Sequence, residues 1–113
     1  MAYVDGFVIP VPTARKGEYT EYSKKWTSIF KEMGATMIYE CWGDEVPAGD
    51  VTDFARAVDL KDEETVVFSW NVWPDKATRD AAWQSLRDAD MEDMPFDGKR
   101  MIYGGFKPIV TVT

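Results

Sequence analysis

Thr65-Val-Val-Phe-Ser-Trp-Asn-Val-Trp73 decides the fold. Side chains alternate across a strand, so Val66, Phe68, Trp70 and Val72 share one face, and Val67, Ser69, Asn71 and Trp73 share the other. Both rows contain large apolar groups, so this strand needs cover on both sides. After it, Pro74-Asp75 opens a helix with Arg79, Ala82, Trp83, Leu86 and Ala89 on one stripe. A loop from Asp90 to Lys99 leads through the turn dipeptide Asp97-Gly98 into a strand from Arg100 to Phe106. The paired glycines Gly104-Gly105 leave space beside that strand for a close aromatic or backbone neighbour, or for a ligand.

The N-terminal half repeats the pattern. Tyr3 to Val11 reads as a strand whose end is confined by Pro10 and Pro12 to a sheet edge or an exit. Thr13 is placed to cap a helix in which Tyr19, Tyr22, Trp26, Ile29, Phe30 and Met33 recur at helical spacing until Gly34. Glu21 and Lys25 are set for an i,i+4 pair. Ala35 to Trp42 forms the next strand. The connection from Gly43 to Glu64 is long enough to hold structure of its own, and a short helical turn is expected around Phe54 to Ala57. Ile109 to Val112 is a short apolar tail.

Strand, helix, strand, loop, strand, helix, strand is the ferredoxin-like βαββαβ order, an α+β fold with two helices over one face of an antiparallel sheet. The other face then needs a second copy, because a two-fold axis lets one apolar patch complement itself. A homodimer through the sheet face is the expectation, built from one domain spanning residues 1–113.

Composition excludes several functions. Twenty acidic and thirteen basic residues give a net charge of −7, which repels phosphate backbones and anionic lipid, so neither nucleic acid nor membrane is an expected partner. No run approaches the roughly 18 apolar residues of a membrane span, and a cytoplasmic location is expected. The chain has no histidine, which removes Ser-His-Asp and Cys-His catalysis and histidine-ligated metal sites. No metal and no cofactor are expected. The single cysteine, Cys41, reads as a small buried hydrophobe in a central or nearly central strand.

Arg79 is the conspicuous charge, since it sits on the apolar stripe of its helix. A buried guanidinium needs a carboxylate, and Asp5 and Glu40 interrupt apolar strands; the outcome is either a structural ion pair or an anion-binding pocket. Lys99-Arg100 reads as a solvated turn, with an ion pair to the acidic stretch Asp90 to Asp93 or to a partner chain as the alternative.

The pieces Tyr3-Val-Asp-Gly-Phe7, Glu40-Cys-Trp42, Asp44-Glu-Val-Pro47, Val51-Thr-Asp-Phe54, Glu64 to Trp70, Arg79-Asp80 and Met94 to Phe106 together resemble the YbaA-like family of uncharacterised bacterial proteins, in the dimeric α+β barrel superfamily. The resemblance implies the fold and dimerisation, and no catalytic residues. Cofactor-free oxygenases of that superfamily bind aromatic substrates between helices and sheet through tryptophan, asparagine and arginine, which directs attention to Trp70 and Asn71. The expected ligand site is therefore Arg79, Asp5, Glu40, Trp70 and Asn71, serving a small-molecule binding or regulatory protein. The alternative is a cofactor-independent oxygenase or isomerase for a small aromatic or anionic substrate, with Arg79 polarising an oxyanion and Asp5 or Glu40 as base.

Overall fold

The computed structural model describes residues 1–87 and 94–113. Its elements are β1 (Tyr3–Pro12), α1 (Lys16–Glu32), β2 (Met37–Trp42), α2 (Phe54–Ala57), β3 (Glu64–Trp73), α3 (Lys76–Ser85) and β4 (Ile102–Phe106). The four strands form one antiparallel sheet in the order β2-β3-β1-β4. That is the ferredoxin-like fold expected from the element order. β1 pairs with β3 along its whole length, but its ladder with β4 stops at Val8. Pro10 and Pro12 thus lie where β1 has become an outer strand, and their missing N–H groups interrupt no ladder on that side.

The helices cover the face that carries Asp5, Ile9 and Val11 from β1 and Val67, Ser69, Asn71 and Trp73 from β3, all of them buried. Trp26 and Phe30 of α1 pack with Trp73 and with Ala82 of α3, and Gly34 ends the α1 segment at φ 116°. That positive φ favours glycine. Asp75 caps α3 by accepting from the Thr78 N–H at 2.7 Å, and Asp53 caps α2 in the same way through Arg56, also at 2.7 Å. The short helix expected at Phe54 to Ala57 is present, and Val58 behind it is buried.

The opposite face is open. Phe68 is 43% exposed and Phe106 61%, Tyr39 stacks on Trp70 with centroids 4.9 Å apart, and Phe54 meets Phe68 edge-on. Phe106 lies over the glycine pair Gly6 and Gly104, which face each other across the β1–β4 ladder. Cys41 also belongs here, half-buried rather than buried, because β2 is an edge strand and not a central one.

Three local expectations change. Thr13 bonds across to the Thr65 hydroxyl at 2.7 Å instead of capping α1, since a turn of 3₁₀ helix separates it from that helix. Glu21 meets Lys24, not Lys25. Arg100 is not a solvated turn residue, and its partner is Glu64, through two bonds of 2.7 and 2.6 Å. It also binds Asp97 and the Asp59 carbonyl, so one guanidinium ties the loop before β3 to the turn before β4. Ala89 and the stretch Asp90 to Asp93 lie outside the described residues.

The hydrogen bonds from Arg100 hold the Glu64 carboxyl below its ordinary range. A folded pKa below the unfolded one, about 4.3 for glutamate, contributes stability that is complete above the unfolded value and lost as pH falls through the folded one. Glu64→Gln should therefore melt below the wild type near neutral pH, and the difference should shrink steadily in acid. Melting curves taken between about pH 7 and about pH 3 check this; parallel profiles would mean that the pair stabilises nothing.

Candidate functional site

Asp5 points from β1 into the helix-covered face and is 2% exposed. Its carboxylate accepts from the indole N–H of Trp73 at 3.0 Å, from that of Trp83 at 2.8 Å, and from Arg79 Nε at 3.0 Å, with Arg79 Nη2 2.9 Å away. Four donors on one carboxylate satisfy both oxygens, which is the condition for keeping a charge in the interior. Of the two carboxylates suggested by sequence, Asp5 is the one that pairs with Arg79. The guanidinium also reaches Asp80 at 3.0 Å and lies 5.2 Å from the centre of the Tyr3 ring. These bonds, that to Asp5 foremost, raise the Arg79 pKa further. Gly105 makes the arrangement possible, because a Cβ there would stand 2.9 Å from Arg79 Nη2 and closer still to the Tyr3 hydroxyl.

Beside this network the core is divided. One cluster of buried residues contains Trp26, Phe30 and Trp73, a second contains Ile9, Tyr19 and Val67, and a cavity of about 280 Å³ lies between them, lined by members of both. Its apolar wall includes Phe7, Trp26, Phe30, Trp83 and Phe96. Its polar groups converge from three elements. Ser69 and Asn71 stand two residues apart on β3, Glu40 lies opposite Ser69 on β2, and Tyr19 and Tyr22 reach in from α1.

The Tyr19 hydroxyl donates to Glu40 in a short bond. Burial, together with the neighbouring Glu40 carboxylate, pushes the Tyr19 and Tyr22 hydroxyl pKa values upward, so both stay protonated. Three buried polar atoms have no hydrogen-bond partner among the described residues: the Tyr22 hydroxyl, Ser69 Oγ and Asn71 Nδ2. All three residues line this one cavity. Glu40 is exposed on its other side, where it and Tyr19 also border a groove of about 370 Å³ between α1 and β2. Among the described residues no group of histidine, cysteine, aspartate and glutamate is placed to hold a metal.

Of the five residues named from sequence, Glu40 and Asn71 meet at the cavity. Asp5 and Arg79 hold each other next to it, and they act on it only through Trp83, whose ring forms part of the wall. Arg79 does not line the cavity and is engaged by two carboxylates, so it is not positioned to polarise a ligand there. Trp70 is on the other face of the sheet. Adjacent strand residues point to opposite sides, so Trp70 and Asn71 belong to different surfaces. Tyr19 and Tyr22 read from sequence only as members of a helical stripe, and Ser69, which adjoins Trp70 and Asn71 as Ser69-Trp70-Asn71, was not among the five. The available signal was polarity, since a core-facing tyrosine hydroxyl or strand serine needs a partner once buried.

A family model described as a protein of unknown function (DUF1428) matches residues 2–98. The uncharacterized protein YbaA of Escherichia coli strain K12 is 53% identical over 115 residues, covering 97% of this chain and 98% of its own, and YbaA of Shigella flexneri matches to the same extent. Among solved structures, a dimeric ferredoxin-like protein from an uncultured marine organism covers 98% of both chains at 10% identity and a TM-score of 0.65. The de novo designed protein Foldit4 covers 96% of this chain and 99% of its own, at 14% identity and a TM-score of 0.52.

Arg79→Met keeps most of the side chain's volume while leaving the buried Asp5 charge with only its indole donors. The expected loss is about 3–5 kcal/mol. Adding Asp5→Asn removes the stranded charge and should recover part of that loss, with a coupling energy measurable in denaturant melts of both single variants and the double variant. Strict additivity would show that the two side chains do not interact.

Proposed function

The chain belongs to the DUF1428 family of proteins of unknown function, and on that premise we propose that it is a cytoplasmic homodimer that binds a small molecule in the cleft between its helices and sheet. One observation carries the binding assignment: three buried polar atoms without partners border the same largely apolar cavity. Each such atom costs about 1–3 kcal/mol, against a total stability of roughly 5–15 kcal/mol for a domain. Left dry, three at one place would cost a substantial fraction of that stability, and a ligand with matching groups would satisfy them as it displaces solvent from the cleft. Apolar walls with a few convergent polar groups are the usual composition of a small-molecule site. An enzymatic reading would have to use Glu40 as its base, since Asp5 is fully engaged by its four donors.

Dimerisation is supported by the open sheet face, where Tyr39 of β2, Phe68 of β3 and Phe106 of β4 are between 43% and 61% exposed. The structurally similar marine protein is itself described as dimeric. Among the described residues no helix is long and apolar enough to cross a membrane, and the acidic charge disfavours nucleic acid. Light scattering at micromolar concentration should give the mass of two chains, and Phe68→Asp, which puts a charge at the centre of the open face, should halve it. A wild-type monomer that melts cooperatively would remove the dimer from the proposal.

Ser69→Ala tests the site. If Ser69 Oγ is kept unpaired for a ligand, deleting it should raise the stability of the ligand-free protein by about 1–3 kcal/mol while weakening retention of whatever small molecule native mass spectrometry finds on protein purified from its own cells. A drop in stability would show that the hydroxyl has a structural partner.

A further inference from the structure

We infer that the cleft is built for an uncharged phenol: a planar ring whose hydroxyl donates to Glu40 and which carries a second oxygen that accepts from Asn71. This rests on the binding reading above and specifies the ligand's chemistry. The ring follows from the walls, where Trp26, Phe30, Trp83 and Phe96 present aromatic faces and edges to a space of about 280 Å³. That is the small end of ligand cavities, so one or two rings fill it.

The absence of net charge follows from the lining. Glu40 is the charged side chain among the cavity's described lining residues, and no lysine or arginine joins it there. Arg79, beside the cavity, is held by Asp5 and Asp80, and Lys16 and Lys24 line the neighbouring groove on the outer side of Glu40 rather than the cavity itself. A carboxylate or phosphate would lose its hydration without gaining a cation and would face the Glu40 charge.

The hydrogen-bond pattern follows from the register. Glu40 and Ser69 are directly opposite on β2 and β3, which brings their Cβ atoms about 4.5–5.5 Å apart. One ligand hydroxyl can therefore donate to the carboxylate and accept from Ser69 Oγ. Asn71 lies one pleat further on, diagonal to Glu40, at about 7–8 Å, and its Nδ2 is a buried donor with no partner among the described residues. A para-substituted ring spans that diagonal. Tyr19 occupies one oxygen of Glu40 as a donor, which orients the carboxylate and leaves the other oxygen for the ligand.

Calorimetric titration of the purified wild type with three probes tests this: 4-methoxyphenol, 1,4-dimethoxybenzene and 4-hydroxybenzoate. The first should bind, and the other two should bind at least about tenfold more weakly, one for want of a donor and the other because of its charge. Glu40→Gln should narrow the gap between phenol and diether. Asn71→Ala, which leaves Glu40 in place, should weaken both alike. Equal affinity for phenol and diether overturns the role of Glu40, and binding of the benzoate as tightly as the phenol overturns the charge selection; either result leaves a cleft that binds small molecules. If none of the three binds at millimolar concentration, the phenol assignment fails, whereas the binding reading itself stands or falls on Ser69→Ala and on the molecule retained from native cells.

Discussion

The carboxylate of Asp5 is the buried charge on which the packing of α3 against the sheet depends. It sits on a central strand and gathers the indoles of Trp73 at the end of β3 and Trp83 on α3, together with the guanidinium of Arg79. Those two rings fix the spacing between α3 and the sheet, and the close approach of Arg79 and Tyr3 requires a glycine at position 105 on β4. Three strands and a helix thus meet at one charge. A charge at that depth is tolerated only because every donor is supplied, and removing one donor strands the rest. The same network holds Trp83 against the cavity, so the geometry of the wall depends on an ion pair that the ligand would never touch.

The division of the core follows from the middle of β3. Between Val67 and Trp73, the two residues on the helix-covered face are Ser69 and Asn71, small and polar where valine or leucine would close the gap. The rings above them come from two buried clusters that touch at their rims, Tyr22 against Tyr19 and Phe96 and Phe7 against Trp83, and leave the polar floor between them uncovered. Filling the space with apolar side chains would stabilise the fold and abolish the hydrogen-bonding groups, the opposition between stability and binding that functional sites often show. The tyrosines of α1 extend the argument, because phenylalanine would serve equally well at Tyr22 if packing alone mattered there.

Much of the fold was legible in the chain because it depends on local periodicity. Period two in β3, helical spacing in α1 and α3, and the length of the connection before β3 each located an element within a few residues. Arg79 announced itself by its place on an apolar stripe. What stayed hidden depends on contacts distant in sequence: Arg100 reaches Glu64 across 36 positions, and nothing near either residue identifies the other. Thr13 had the right side chain for a cap, but the 3₁₀ turn that follows moved it out of position. The cavity was hidden for a related reason, since it is a gap left between two clusters brought together from distant parts of the chain, and a list of apolar residues does not record such gaps.

Trp70 shows how the two surfaces of the sheet divide the work. It was grouped with Asn71 because the two are adjacent and both suit an aromatic ligand, yet alternation sends Asn71 into the cleft and Trp70 onto the open face, where it stacks with Tyr39 and touches Phe68. A substitution in β3 is therefore governed by its parity. At 67, 69, 71 and 73 it alters the core and the cavity, while at 68, 70 and 72 it alters the face available to a second copy. A one-residue slip of the strand would exchange the two sets, placing the aromatic face over the polar floor and exposing Ser69 and Asn71. The long ladder with β1, paired from Tyr3 opposite Trp73 to Pro12 opposite Glu64, opposes that slip, and the indole of Trp73 bound to Asp5 opposes it again. The buried charge consequently sets the register on which both surfaces rely.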